Sequence, residues 1–148
     1  MTPRQRATWL AVATAACPVA LLLARCGLTL PVTSAVRDIA WLLALALCEE
    51  LVFRGGVQHA LQGFSAMRQR VLLISAANLV TSLAFAGAHL YSHTPLQALA
   101  VLPVSLLLGL SYEQSGRLWL PTALHAWFNL ALYGASALAA TTLAASTV

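Results

Sequence analysis

The chain has 148 residues, of which 60% are hydrophobic and 8% are charged, and its mean hydropathy is +0.82. Soluble domains are about 45–50% apolar and ~25% charged, so this composition excludes an ordinary soluble domain and predicts an integral membrane protein. One helical span needs about 20 residues, which leaves room for about five spans. We therefore expect an all-α fold, a multi-pass helical bundle that forms a single membrane-embedded domain over residues 1–148.

The basic residues are dispersed. The net charge is +4, and all eight cations are arginines that lie between apolar stretches without forming a run. This distribution favours topology signals over a nucleic-acid-binding face. The three cysteines, Cys17, Cys26 and Cys48, are far apart and indicate packing residues, not a disulfide framework. We expect the lipid bilayer as a partner and no nucleic acid.

Hydropathy and capping signals predict five helices. Ser34 can cap the second helix, with Asp38 in its first turn. Pro95 marks the start of the fourth helix, Pro103 is a candidate kink, and Pro121 fits the first turn of the fifth. The expected ranges are about 7–24, 34–64, 71–90, 96–112 and 121–145.

The arginines also predict an orientation. With a cytoplasmic N-terminus, only Arg25 and Arg37 among the loop arginines lie outside, which satisfies the positive-inside rule. The absence of lysine and the abundance of alanine and arginine indicate a bacterial protein, so we expect it in the inner membrane. The arginines then expected inside are Arg4, Arg6, Arg68, Arg70 and Arg117.

Two adjacent glutamates, Glu49 and Glu50, lie inside an apolar stretch. A charge at mid-bilayer costs at least about 2.5–3.5 kcal/mol, so such residues find partners and are functional candidates. Arg54 follows Glu50 by four residues, the favourable order for an ion pair on one helix face. Glu49 projects about 100° away and lacks that partner, which suits it to general-base or general-acid chemistry. Two glutamates that merely tether helices remain the alternative.

Two further polar pairs occur in apolar helices. Phe85 and His89 share a face near the end of the third helix, and His125 and Asn129 lie one turn apart in the fifth. His89 alone is typical of a satisfied core or interfacial histidine, and His93 of an interfacial one. His125 and Asn129 can both donate hydrogen bonds to a common point, although such a pair also serves as a contact between helices.

The combination suggests intramembrane proteolysis, which needs an activated water and donors for an oxyanion. The chain has no H-E-x-x-H motif and only one aspartate, Asp38, which excludes the corresponding zinc and aspartyl types. The segment Gly63-Phe64-Ser65-Ala66 is only a weak match to the rhomboid serine motif.

The remaining pattern resembles the CAAX-protease and bacteriocin-processing family, the glutamate-type intramembrane proteases related to Rce1. The motif E-E-x-x-x-R stands at Glu49 to Arg54, F-x-x-x-H at Phe85 to His89, and H-x-x-x-N at His125 to Asn129. The resemblance covers about residues 35–132. Three motifs in the family's order within apolar helices are specific, whereas any one alone is weak.

The resemblance implies a role for each matched residue. Glu49 would be the general base, with His89 orienting the water or sharing its proton. His125 and Asn129 would bind the oxyanion, and Glu50, Arg54 and Phe85 would shape the site. The implied substrate is a membrane-associated protein or peptide, cleaved for example in sorting-signal processing or peptide maturation.

Three alternatives stay open. No cofactor is expected, but Glu49, His89 and His125 could form a His₂Glu zinc site with an open position. A non-proteolytic immunity or scaffold protein could bind a partner helix through the same polar residues. A small proton or ion carrier could use Glu49 and the histidines as a relay.

Overall fold

The computed structural model describes residues 1–146, which are mainly helical. When α2, the π-helical segment and α3 are counted as one continuous helix, the described residues contain five helices, and the predicted all-α class is confirmed. The elements in chain order are α1 (Pro3–Arg25), α2 (Ala35–Glu50), a π-helical segment (Leu51–Gln58), α3 (His59–Gln62), a 3₁₀ turn (Ala66–Arg68), β1 (Arg70–Val71), β2 (Ile74–Ser75), α4 (Ala76–His89), α5 (Pro95–Ser115) and α6 (Trp119–Ser146).

Two helices within residues 1–146, α1 and α5, are long and apolar enough to cross a membrane by length and composition. The other three predicted spans stay predictions. The number of helices therefore agrees with the number predicted from the sequence.

The helix starts follow from local capping. Thr94 accepts a hydrogen bond from the backbone N–H of Gln97, and Pro95 takes the first position of α5, as expected for a residue without an N–H. α5 then continues through Pro103. At the start of α2 the Asp38 carboxylate accepts from the backbone N–H groups of Thr33 and Ser34, at 2.7 and 2.9 Å. The predicted first-turn role of Asp38 is confirmed.

The predicted start of the third helix is wrong by five residues. Residues 70–75 form a small antiparallel hairpin in which Arg70 pairs with Ser75, and α4 begins at Ala76. Leu72, at the hairpin turn, has φ 59, a left-handed conformation that no regular helix contains. Ser75 then caps α4 by accepting from the N–H of Asn78 at 3.0 Å. The sequence predicted the first turn of a helix here because the residues of the hairpin are mostly apolar.

The second predicted helix is continuous but not uniform. It is α-helical up to Glu50, π-helical over Leu51–Gln58, and α-helical again to Gln62, with Gly63 at its end. A π-helix closes its hydrogen bonds from i to i+5 and is rare, and it is frequently found at functional sites. The wider turn begins directly after the glutamate pair.

The chain forms two compact units. The central unit is Leu47–Thr122, and the flanking unit comprises Met1–Ala46 with the described residues from Ala123 onward. In the flanking unit the core consists of Ala20, Ala24 and Ala135, small side chains that let helices approach closely. The indole N–H of Trp127 donates to the Ala13 carbonyl at 2.8 Å.

The flanking unit also has polar contacts between distant segments. The hydroxyl of Tyr133 donates to the Asp38 carboxylate at 3.1 Å, and the backbone N–H of Leu30 donates to the Ser136 hydroxyl at 3.0 Å. These bonds connect α6 to the start of α2 and to the loop before it. Asp38 therefore both caps α2 and holds that cap against α6.

In the central unit, the π-helical segment runs parallel to α5. Arg54 donates to Ser105, and Gln58, four residues later, donates to Gly109 and Glu113. Contacts that advance together along both segments define a parallel pair.

α4 runs in the opposite direction. Ser75, before its first turn, donates to the carboxylate of Glu113, whereas Asn78 donates to the Leu106 carbonyl at 3.0 Å. Advancing along α4 thus means moving back along α5. The close approach requires Gly109, because a Cβ at this position would lie 2.0 Å from the Asn78 side-chain oxygen.

Candidate active site

Glu50 and Arg54 form the buried centre of the first motif. Arg54 Nη1 lies 3.0 Å from Glu50 Oε1, and both side chains are 0% exposed. Arg54 Nη2 donates to the carbonyl and the hydroxyl of Ser105, each at 2.8 Å. The guanidinium also lies 5.0 Å from the centre of the Phe85 ring, within cation–π range. The predicted ion pair is present, and it links the first motif to the second.

Glu49 differs from Glu50 in exposure. It lies in the last turn of α2 and is half-buried, whereas Glu50 is fully buried. The charges of both glutamates act on the Arg54 guanidinium. The predicted isolation of Glu49 from Arg54 is therefore incomplete, because Glu49 directly precedes Glu50, the ion-pair partner of Arg54. The two carboxylates nonetheless differ in burial.

His89 ends α4 in a defined orientation. Its Nδ1 lies 2.9 Å from the Phe85 carbonyl, an oxygen that can only accept, so Nδ1 carries the proton. Nε2 is then the lone-pair nitrogen of the neutral ring, the form that accepts a proton or binds a metal. The His89 ring also packs against Phe85, with centroids 4.6 Å apart, and against His93 at 5.4 Å. His93, for which the sequence predicts an interfacial position, thus contacts His89.

The helix directions place Glu49 and His89 at the same end of the central unit. Phe53 packs edge-on against Phe85, with centroids 4.8 Å apart. Glu49 precedes Phe53 by one turn, and His89 follows Phe85 by one turn. Because the π-helical segment and α4 run in opposite directions, both steps lead the same way from this aromatic contact. The two residues therefore lie on the same side of the ring pair.

His125 and Asn129 belong to the flanking unit. Both lie on α6, four residues apart and hence on one helix face, as predicted. His125 is buried and Asn129 is half-buried. α6 is regular throughout this stretch, so the pair has the rigid support that oriented hydrogen-bond donors need.

A zinc site formed by Glu49, His89 and His125 was the predicted alternative to a metal-free mechanism. The lone pair on His89 Nε2 and the Glu49 carboxylate are suitable zinc donors, and a backbone carbonyl on the other ring nitrogen is a common orienting partner. Within either unit, the described residues contain no group of three or more His, Cys, Asp and Glu side chains that could hold a metal ion. The third donor of the predicted set, His125, belongs to the other unit.

Several buried polar residues escaped the sequence interpretation. Gln58 is 0% exposed and donates to the Gly109 carbonyl at 3.2 Å and to the Glu113 carboxylate at 3.1 Å. Glu113 also accepts from Ser75 and pairs with Arg70 at 2.7 Å. The available signal was spacing, since Gln58 continues the four-residue interval set by Glu50 and Arg54.

Taken together, the fold and the motif residues define a helical membrane protein with a buried ion pair, an oriented histidine and a half-buried glutamate at one end of its central unit. The family model described as type II CAAX prenyl endopeptidase, Rce1-like, matches residues 31–131, more than half of the chain. The chain therefore belongs to the Rce1-like family, which confirms the resemblance and makes this a membrane-embedded protein of a protease family. Neither the curated proteins nor the solved structures gave a match.

Proposed function

We propose that the protein is an intramembrane endopeptidase that cleaves a peptide bond in a membrane-associated protein or peptide, with Glu49 as the general base. The observation that carries this proposal is the unequal burial of the two adjacent glutamates. Glu50 is sealed in an ion pair with Arg54, whereas the Glu49 side chain is only half-buried. Of the two carboxylates, that of Glu49 is therefore the one left accessible, at the same end of the central unit as His89.

The proposed reaction needs no covalent intermediate. Glu49 takes a proton from water, and the resulting hydroxide attacks the carbonyl carbon of the scissile bond. His89, with its lone pair on Nε2, orients the water or shares the proton. His125 and Asn129 donate to the oxyanion of the tetrahedral intermediate. The proton passes to the leaving amine as the C–N bond breaks, and Glu49 is regenerated.

A zinc ion in the same place would serve a different version of the reaction. Glu49, His89 and His125 would hold it, and it would supply a water of lowered pKa. The glutamate version is favoured here because Glu49 then keeps its carboxylate available as a base. After exhaustive chelation we expect cleavage to persist, and its loss with restoration by zinc would decide for the metal version.

The first test compares cleavage by the wild type and by Glu49→Gln. Both are co-expressed with tagged membrane proteins from the same genome, and the termini of those proteins are compared by mass spectrometry. We expect new termini with the wild type and none with Glu49→Gln. Asn129→Ala should lose about 10²–10³ in rate, the usual cost of one oxyanion donor, and remain measurable.

Matched controls separate chemistry from folding. His93→Ala should keep its activity, whereas His89→Ala should lose it, although the two rings contact each other where α4 ends and the following loop begins. Glu49→Gln should unfold at the wild-type temperature, whereas Glu50→Gln should unfold earlier because Glu50 is paired in the interior. Normal cleavage by Glu49→Gln would overturn the proposal, and a phenotype that survives this substitution would indicate a binding or scaffold role.

A further inference from the structure

A second polar site lies at the opposite end of the central unit. A cavity of about 540 Å³ opens there, within the size range of small-molecule sites. It is lined without a single aliphatic side chain, by His59, Gln62, Arg68, Arg70, Ser75, Tyr112, Glu113 and Gly116. Ser75 and His89 are 14 residues apart at opposite ends of α4, about 21 Å at ~1.5 Å per residue, so this cavity is separate from the candidate active site.

The charges of the cavity walls favour an anion. Glu113 is the only acidic residue among them, and it is already held by Arg70, Ser75 and Gln58. Arg68 has no such carboxylate partner among the described contacts, and its guanidinium donates only to the Gln62 carbonyl at 3.4 Å. One guanidinium in excess therefore lines the open cavity.

Further donors converge on the same space. His59 Nδ1 lies 3.0 Å from the Tyr112 hydroxyl, which fixes both groups at the wall. The Arg70 guanidinium is half exposed, so it can turn from Glu113 towards a ligand. Planar guanidinium groups bind phosphate oxygens in pairs, and a tetrahedral anion matches donors that approach from several sides.

Exposed apolar side chains lie close in the chain to the residues that line the cavity. Leu72 is 93% exposed and Val71 81% exposed at the hairpin tip, with Leu73 and Phe64 each 65% exposed nearby in the chain. Large apolar residues next to arginines are typical of a segment that enters the headgroup region of a membrane. Leu72 is held at the tip in a left-handed conformation.

We propose that this cavity, which we call the basal cavity, binds a phosphate group, carried either by an anionic phospholipid or by a free phosphate compound. The arginines and His59 would hold the phosphate oxygens, and the hairpin tip would contact the acyl region if the source is a lipid. The proposal does not depend on the proteolytic reaction.

The test uses the full chain purified in a neutral detergent. Binding of phosphatidylglycerol, of phosphatidylcholine and of inorganic phosphate is measured for the wild type, Arg68→Gln and Arg117→Gln. Arg117 is an exposed loop arginine outside the cavity, which makes it the matched control. We expect Arg68→Gln to weaken phosphate-group binding by about tenfold or more, as for the loss of one charge-assisted hydrogen bond, and Arg117→Gln to change it less than about twofold.

The arms distinguish the two sources. If phosphatidylglycerol binds more tightly than phosphatidylcholine, and if Leu72→Asn weakens the binding of phosphatidylglycerol, the ligand is a lipid headgroup. Asparagine is chosen because it tolerates the left-handed backbone of this position. If inorganic phosphate binds to the wild type but not to Arg68→Gln, and if Leu72→Asn leaves this binding unchanged, the ligand is a free phosphate compound. Equal losses in Arg68→Gln and Arg117→Gln, or no binding of any probe to the wild type, would overturn the proposal.

Discussion

At the scale of single residues, two neighbouring glutamates receive unlike environments from one helix. Glu50 faces the interior of the central unit and is neutralised by Arg54, while Glu49 stays half-buried at the edge. The sequence predicted this division from a four-residue spacing and a rotation of about 100° per residue. It could not predict that Ser105 supplies two more acceptors to Arg54, because that contact joins residues far apart in the chain.

The Arg54 ion pair yields a stability prediction. Arg54→Met keeps most of the apolar stem but leaves the Glu50 carboxylate in the interior without its guanidinium. We expect a loss of about 3–5 kcal/mol in the free energy of unfolding, the usual cost of removing one partner from a buried pair. The measurement is unfolding of the purified variant by sodium dodecyl sulfate in mixed micelles.

The double variant provides the control. Glu50→Gln combined with Arg54→Met removes the stranded charge, so its loss should be smaller than that of Arg54→Met alone. A loss of less than about 1 kcal/mol for Arg54→Met would contradict the idea that the ion pair is energetically buried. Equal losses for the single and double variants would mean that packing, not charge, sets the cost.

At the scale of elements, polar residues recur at every fourth position of the helix that runs parallel to α5. Glu50, Arg54 and Gln58 are all fully buried, and the last two contact α5. Residues four apart lie on one face of a helix, so these three side chains form one buried polar row. Its last two members lie in the π-helical segment, which runs parallel to α5.

The elements also show which local structures could be predicted from the sequence and which could not. Pro95 and Asp38 were read correctly because their signals are local, a missing N–H and a carboxylate in a first turn. The hairpin before α4 was missed because Leu72 and its neighbours are apolar and carry no turn signal. Its formation depends on Ser75 reaching Glu113, a contact that the linear pattern does not reveal.

Ser75 offers a prediction about helix capping. Its hydroxyl accepts from the N–H of Asn78 and donates to the Glu113 carboxylate, so Ser75→Ala removes a cap and a charged hydrogen bond. We expect a loss of about 2–4 kcal/mol in the free energy of unfolding, measured as for Arg54→Met. Thr94→Ala removes only an exposed cap and should cost about 1 kcal/mol. Equal losses would show that the bond to Glu113 contributes nothing.

At the scale of the whole molecule, composition sufficed to predict a membrane protein, and motif order sufficed to predict its family. Neither composition nor motif order could predict where the two polar ends of the central unit lie. Their positions follow from the directions of α4 and α5, which are set by contacts such as Asn78 with Leu106. The outcome is that Glu49 and His89 lie at one end of the central unit and the basal cavity lies at the other.

The positions of these ends relative to the membrane give the last prediction. If the N-terminus is cytoplasmic, Cys26, exposed at the end of α1, lies outside, and Ser65, exposed in the turn before Arg68, lies inside. An impermeant maleimide should therefore label Cys26 on intact bacterial cells when Cys17 and Cys48 are replaced by serine. In a chain whose cysteines are all serine, Ser65→Cys should react only after the membrane is permeabilised.

The two labelling results together test both the orientation of the protein and whether its second helix crosses the bilayer. The reverse pattern would invert the protein and place the basal cavity at the outer surface. Reaction of both positions from the same side would mean that the continuous helix from Ala35 to Gln62 does not cross the bilayer. In the expected outcome that helix crosses it. Glu49 and Glu50 then lie near its middle, and the charge that they bring into the hydrocarbon is offset by Arg54 and by the contact of Arg54 with Ser105 of α5.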